Sequence, residues 1–437
     1  MIITLVMDQY GFMNNGTTAT ARYFAERMRE HGHTVRIVTC IPSNEENVYV
    51  TKERYYPIIT KIVHNNGMAL AKPDEKILEE AIRGADIVHF FIQFKLAQHG
   101  KTIADRLGVP STAAFHFQPE NVSYNINPLL GKCKFFNEWL YRRYKKFFDR
   151  FPHIHVPSEN MKRLLVEHGY KSQIHPISNG VNDAFQKTPS ARPQELEGKY
   201  LIMMSGRLAV EKRQEVLLRA VGKSKYNDKI QVILCGRGPC EKKLRRLSKR
   251  VLANPAIIKF CSRDELIKTI NYCDLYVHTS EIESEAIACM EAFVCGLVPV
   301  ISDAPMSATK QFALHKENLF SNGDADDLAR KIDWFIENPD KKAEMEDEYL
   351  EFAENYRLEQ CVNALEQVFC DVIAENKKRL ENIELEKNYL SDFTEKDIKR
   401  YYKRKIEYQE LALKYGQPDY LDEYINSQIF ETEKELI

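Results

Sequence analysis

Apolar runs alternate with amphipathic stretches along most of the chain. Ile2 to Met7 is a continuous apolar run that stops at Asp8, which predicts a strand buried on both faces, as in a parallel sheet. From Thr17 to His31, the residues Ala21, Phe24, Ala25 and Met28 share one helical stripe. Gly32 ends it, and Val35 to Cys40 reads as the next strand. A strand, a helix and a parallel strand in so short a span require a right-handed crossover. Similar runs follow at Asp86–Ile92, Ser111–Phe115 and Ile154–Pro157. Ser158 suits the N-cap of a helix that Gly169 ends, and Ile174–Ser178 closes this half.

A second alternation starts near Tyr200. Strands are predicted at Leu201–Ser205, Gln231–Cys235, Ile257–Phe260, Leu275–Thr279 and Leu297–Ile301. Helices fall at Gln214–Val221, Glu241–Val251 and Ala325–Glu337. Two runs of β/α units predict two doubly wound α/β domains, residues 1–178 and 179–340, joined where Asn, Gly, Pro and Ser cluster. Residues 341–378 are charged but carry Tyr349, Phe352 and Tyr356. Such a stripe needs a surface to cover, and we expect this segment to cross back onto the first domain. Residues 379–437 read as a charged helical extension broken at Gly416-Gln417-Pro418. No repeat of 20 to 50 residues is visible.

Composition narrows the function. The 437 residues are 44% hydrophobic and 29% charged, enough to bury sizeable cores. With 62 Lys and Arg against 63 Asp and Glu, nothing suggests a nucleic-acid binder. The apolar start is too short for a signal peptide, and no window is apolar enough to span a bilayer. The 10 cysteines form no CxxC pair, which argues for a reduced, cytoplasmic setting and against disulfide or zinc frameworks.

Ligands of open α/β sheets bind outside the carboxyl ends of the strands. Three constellations lie there. Gly206 ends a strand and is followed by Arg207 and Lys212, a planar fork and a mobile point charge that suit a diphosphate or, read plainly, a solvated turn. Glu283 lies just before a helix expected to start near Ser284, and Glu291 two turns along it. Its free N–H groups would face a phosphate, while its carboxylates would accept hydrogen bonds from sugar hydroxyls. Gly236-Arg237-Gly238-Pro239 follows a third strand and reads as a close backbone approach.

In order and spacing, Asn179-Gly180-Val181, Gly206-Arg207-Leu208 with Glu211-Lys212, Gly236-Arg237-Gly238-Pro239, and Ser280 followed by Glu283-x7-Glu291-Ala292 and Cys295-Gly296-Leu297-Val298-Pro299-Val300 resemble the family 4 glycosyltransferases. The resemblance covers roughly residues 1 to 375. It implies the GT-B fold, two facing Rossmann-like domains, and retaining, metal-independent transfer of a hexose from a nucleotide sugar, with UDP-glucose the expected donor and no cofactor. By the family pattern Arg207 and Lys212 bind the diphosphate, Glu283 the sugar and Glu291 the ribose. Amides of Ser284, Glu285 and Ala286 help hold the phosphate, and the base lies near Arg263. Gly16, Gly206 and Gly236 permit close backbone approach, and His116 stands near the acceptor hydroxyl. Two departures stand out. Ser284-Glu285-Ala286 replaces the usual Gly-Phe-Gly, so Glu285 adds a carboxylate that would bear on sugar contacts, and Cys261 stands where the family often has Gly.

The acceptor is read from residues 132–151. Phe136, Leu140, Tyr144, Phe147, Phe148 and Phe151 form a helical stripe, and seven Lys or Arg face only Glu138 and Asp149. Such a helix either packs on the sheet with a solvated basic face, or lies on an anionic membrane through Arg142, Arg143, Lys145 and Lys146. Lipid-modifying family members resemble this pattern, which implies a diacylglycerol or glycosylated diacylglycerol acceptor at the inner membrane face. The alternatives are a soluble or polysaccharide-linked acceptor, or a nucleotide-sugar binding protein without turnover. A nicotinamide dehydrogenase is excluded because Gly11 and Gly16 do not have dinucleotide-loop spacing.

Overall fold

The computed structural model describes residues 1–11, 16–56, 60, 63–64, 68–126, 128–131, 133–391 and 393–415. Lys132, residues 12–15 of the first loop, and the Gly416-Gln417-Pro418 breaker lie outside them.

The apolar runs become two parallel sheets. The first contains β1 (Ile2–Val6), β2 (Thr34–Thr39), β3 (Val48–Val50), β4 (Ile87–Phe90), β5 (Ser111–Ala114), β6 (His153–Val156) and β7 (Gln173–Pro176), in the order β3-β2-β1-β4-β5-β6-β7. The second contains β8 (Tyr200–Ser205), β9 (Ile230–Cys235), β10 (Ile257–Lys259), β11 (Leu275–His278), β13 (Pro299–Ser302) and β15 (Leu319–Phe320), in the order β10-β9-β8-β11-β13-β15. Helices cover both faces, so strands such as β4 and β11 are buried at every position. The strand order reverses between β1 and β4 in one sheet and between β8 and β11 in the other. A short pair, β12 (Ile282–Glu283) with β14 (Met306–Ser307), lies outside both sheets.

The helix Gly16–Glu30 buries Ala21, Phe24, Ala25 and Met28, the stripe read from the sequence. Ser158 caps the helix Glu159–Glu167 by accepting from the Met161 amide at 3.2 Å. Residues 341–375 depart from expectation in detail. Tyr349, Phe352 and Tyr356 pack on Phe293 in the core of the second sheet, rather than covering the first. The contact with the first sheet begins at Leu358. From there Val362, Leu365 and Phe369 join the core of Ile3, Leu5 and Phe24. The change of surface is pinned by two backbone hydrogen bonds, Val181 N–H to Tyr356 O at 2.8 Å and Leu358 N–H to Val181 O at 3.1 Å.

Met1–Ile373 form one compact unit and Ala374–Ile437 another. The helix Leu358–Leu390 runs without a break through position 378, where the sequence suggested a boundary. Within the second unit, Leu390, Phe393, Ile398 and Tyr401 form a small cluster, and Lys405 pairs with Glu386 at 2.9 Å.

Candidate active site

The loops after β8 and β11 meet at the reversal point of the second sheet. Gly206 follows β8 with φ +134, a conformation that a residue with a Cβ rarely adopts. Gly236, after β9, is needed for a different reason. A Cβ there would stand 1.9 Å from the Gly206 carbonyl oxygen, so its close backbone approach is to the neighbouring loop.

Beyond Gly206, Arg207 donates to Glu211 at 2.7 Å, and the Glu211 carboxylate is buried. Lys212 ends the turn Val210–Lys212, and its ammonium pairs with Glu283. His278, the last residue of β11, meets the same Glu283 oxygen, Oε1, through Nε2 at 3.0 Å. Burial alone would raise the Glu283 pKa. The Lys212 charge and the His278 hydrogen bond outweigh it and hold the carboxyl well below the usual carboxylate range. Among the described residues, Oε2 of Glu283 accepts no hydrogen bond, so one oxygen is anchored and the other is available. Sequence reasoning missed His278. Its position at the end of a buried strand, just before Thr279 and Ser280, was the available signal.

The helix expected near Ser284 begins at Ile287, because Glu283 is paired in β12 and Ala286 caps the helix in the left-handed region, φ 74. Glu291 therefore sits just over one turn into the helix Ile287–Val294 rather than two. Burial pushes its carboxyl up to about 8, and it has no hydrogen-bond partner among the described residues. Glu285 is a correction. Its carboxylate does not join Lys212, His278 and Glu283 but accepts from the Asn179 backbone N–H at 3.0 Å and from the Asn179 side chain. Glu285 thus clasps the segment joining the two sheets, and burial raises its pKa to about 8. The Ser284 carbonyl is held from the first sheet's side by the Ser158 hydroxyl at 2.7 Å.

Arg263 is the exposed first residue of the helix Arg263–Tyr272, whose start is set by a capping box between Ser262 and Glu265. Gly16 opens the first helix of the chain directly opposite the Glu-rich loop. A Cβ on it would stand 3.3 Å from Ile287 Cδ1.

The facing edge of the first sheet is neutral. His116, two residues beyond β5, stacks on Phe91 at 5.9 Å and meets His155 edge-on at 5.5 Å. Burial, then the His155 charge, drives its pKa well below the usual value, so it is an uncharged imidazole. Its Nε2, His89 Nε2, His155 Nδ1 and both amide atoms of Gln9 are buried without a hydrogen-bond partner among the described residues. Gln9 follows β1 and His116 follows β5, the strands flanking β4, while His89 lies within β4 and His155 within β6.

The helix Lys134–Phe148 packs one face on the first domain and leaves aromatic and basic residues of the other exposed. Leu140, Tyr141, Phe147 and Phe148 are buried in the first domain, while Phe135 is 84% and Trp139 48% exposed. Arg142, Arg143 and Lys146 are exposed with them, and Arg143 lies over the Trp139 ring at 5.6 Å. Lys145 departs from the expected set, since it turns back to pair with Asp149 and lies over Tyr170. A groove of about 940 Å³ runs along this helix and the helix Lys95–Leu107, lined by Phe94, Leu140 and Phe147 and by the cations Lys95, Arg143 and Lys146. Its inner end reaches Asp8 and Gln93, beyond β1 and β4. Burial raises the Asp8 carboxyl to about 7, although it accepts from the Ala71 amide at 2.8 Å. Among the described residues no cluster of His, Cys, Asp or Glu could hold a metal ion, and no helix is long and apolar enough to cross a membrane.

Two doubly wound domains whose strand ends face each other make the GT-B fold. The family models agree: residues 14–185 match "Glycosyltransferase Family 4" and residues 186–351 match "Glycosyl transferases group 1". The chain belongs to glycosyltransferase family 4. Solved structures with the same fold include Anabaena HepE in complex with UDP-glucose, 18% identical over 86% of this chain and 100% of that one, TM-score 0.64. Sucrose-phosphate synthase of Thermosynechococcus elongatus is 16% identical over 86% and 100%, TM-score 0.66. The catalytic domain of cholesterol-alpha-glucosyltransferase from Helicobacter pylori is 45% identical over 36% of this chain and 98% of that one, TM-score 0.35. No curated protein matches the chain.

Proposed function

We propose that this glycosyltransferase moves glucose from UDP-glucose, with retention and without a metal, to a hydroxyl of a membrane lipid at the inner face of the membrane. The observation that carries the donor half is the meeting of Arg207, Lys212, His278 and Glu283 at the reversal point of the second sheet. Breaking the bond between the sugar C1 and the diphosphate leaves negative charge on the diphosphate. Fixed cations and N–H groups at that place lower the barrier. In this reading Arg207 and Lys212 receive the charge, and the loop through Ser284 and Ala286 supplies amides. The available oxygen of Glu283 faces the sugar, and Glu291, which has no hydrogen-bond partner among the described residues, takes the ribose hydroxyls. His116, neutral at physiological pH, offers Nε2 to the acceptor hydroxyl without repelling the developing positive sugar.

The acceptor half rests on the groove beside the helix Lys134–Phe148. Its apolar wall and basic rim suit an amphiphile whose chains stay in an anionic bilayer. The deciding experiment incubates the purified chain with UDP-glucose and vesicles carrying diacylglycerol, a glycosyl diacylglycerol or a sterol, with and without EDTA. An α-linked glycolipid formed equally in EDTA is expected. A β-linked product, a strict need for divalent metal, or transfer to soluble sugars alone would overturn the corresponding part. UDP-glucose binding with no transfer to any acceptor would favour a binding protein.

A further inference from the structure

We infer that Cys235 and Cys261 form a reversible disulfide, a modification site placed beneath the donor-binding loops. All ten cysteines are free thiols here, and these two are in contact, Sγ to Sγ 3.1 Å apart. A disulfide needs about 2.05 Å, so roughly one ångström of movement closes the bond. The sequence separates the pair by 26 positions, and the parallel pairing of β9 with β10 brings them together. Cys235 ends β9 and pairs in register with Lys259, the end of β10. Cys261 lies just beyond, where the chain leaves the sheet.

The two thiols are unequal, as a reacting pair requires. Cys235 is 5% exposed, while Cys261 is half-buried and open to a small oxidant. The hydrogen bond shared with Cys235 and the nearby Lys259 ammonium lower the Cys261 thiol, while that same contact and burial raise Cys235. Cys261 is therefore the attacking thiolate. With a low-molecular-weight disulfide as oxidant, it displaces one thiolate and forms a mixed disulfide. Cys235, giving up its proton, then attacks the Cys261 sulfur and releases the second thiol. Two protein thiols are oxidised to one disulfide and the oxidant is reduced to two thiols. Intracellular disulfides of this kind are transient and sensing rather than structural.

The consequence for the donor follows from the backbone and rests on the function proposed above. The Cys235 carbonyl accepts from the Gly206 N–H at 3.0 Å, and the Gly236 N–H donates to the Lys259 carbonyl at 2.8 Å. On the other side, Arg237 lies over the exposed ring of Phe260 at 4.3 Å, and Arg263 begins its helix two residues past Cys261. Moving the two sulfurs together pulls on both loops and on the packing of Gly236 against Gly206. The oxidised chain should bind nucleotide sugar more weakly.

The test equilibrates the full chain in glutathione buffers stepped from reduced to oxidised. It maps disulfides by peptide mass spectrometry and measures UDP binding calorimetrically at each step. A crosslink between Cys235 and Cys261, lost two hydrogens in mass, at least a tenfold weaker UDP affinity, and recovery with dithiothreitol are expected. Cys261→Ser should abolish the crosslink, and Cys370→Ser, at an exposed thiol, should leave it intact. Glutathione attached to Cys261 without the internal bond, or no crosslink at all, overturns the modification site. A full crosslink with unchanged UDP affinity overturns its effect on the donor. Failure of the reduced wild type to bind UDP would instead count against the function proposed above, while the peptide map still decides whether the disulfide forms. Should Cys261→Ser fold poorly, the wild-type map decides alone.

Discussion

The two edges that face each other in this enzyme are built on opposite electrostatic principles. At the second sheet the cations are answered by carboxylates: Arg207 by Glu211, Lys212 by Glu283, Arg213 by Glu281. At the first sheet buried polar groups lack answering charges, with His89, His116, His155 and Gln9 each holding a nitrogen or oxygen that has no partner among the described residues. The contrast teaches what each edge is suited to do. A diphosphate brings charge, and cations held in place by carboxylates meet it without reorganising. An acceptor hydroxyl brings none, and neutral imidazoles and amides can hydrogen-bond it without the cost of burying a charge.

Breaking the charged edge should have the largest effect. Lys212→Ala is expected to lower kcat by about 10²–10³, the loss typical of one charge-stabilising group. It should also destabilise the fold by about 3 kcal/mol, because it leaves the buried Glu283 carboxylate short of a partner. Removing a lysine on a solvated turn would hardly affect folding, and it is the pair with Glu283 that makes the loss costly. Denaturant titration checks it, and Lys212→Ala/Glu283→Gln should regain the stability but not the turnover. Full activity in the single variant would dissolve the distinction between the edges.

Next in size is the exposed basic face of the first domain. Reversing Arg142, Arg143 and Lys146 should weaken binding to anionic vesicles by about a hundredfold or more, at about 1 kcal/mol per basic contact. UDP binding should be unchanged. Low-salt vesicle sedimentation reads this out, and equal binding by the variant would make the exposed basic face an ordinary solvated one. Lys145 is left out of the set because Asp149 already holds it.

A smaller effect is expected where the two domains are joined. Glu285 has a folded pKa raised to about 8 by burial, against about 4.5 when unfolded. The folded state therefore binds more protons between these values. Its stability is full below about pH 4.5 and falls as pH rises towards 8. Glu285→Gln keeps an acceptor for Asn179 without the charge. It should remove that slope and stabilise the chain by up to about 2 kcal/mol at pH 8. Thermal unfolding at pH 5 and pH 8 would show it, and an unaltered slope would place the burial cost elsewhere.

The smallest effect belongs to Ala286, held at φ 74 where a Cβ is strained. Ala286→Gly should stabilise by about 0.5–1 kcal/mol, the relief exceeding the entropy a glycine adds to the unfolded chain.

The sequence by itself determined the layered architecture, because buried parallel strands must be apolar at every position and so announce themselves as runs. Ile2–Met7, Leu201–Ser205 and Gln231–Cys235 all lie within one or two residues of the strands that form. It also marked Arg207, Lys212 and Glu283, since a strand end followed by a charge is visible without coordinates. Short pieces such as β3, β12 and β14 carry too few residues for any period and were not legible. Only the tertiary structure decided which carboxylate answers which cation. Lys212 and Glu283 are 71 positions apart, and Glu285 and Asn179 are 106 apart. Two glutamates separated by a single serine look alike in sequence. One anchors a cation at the reversal point and the other clasps the joint between the sheets, because β12 ends at Glu283 and the chain has left the strand at Glu285, just before the left-handed Ala286. Direction of this kind is set by packing against residues distant in the chain, and no local pattern encodes it.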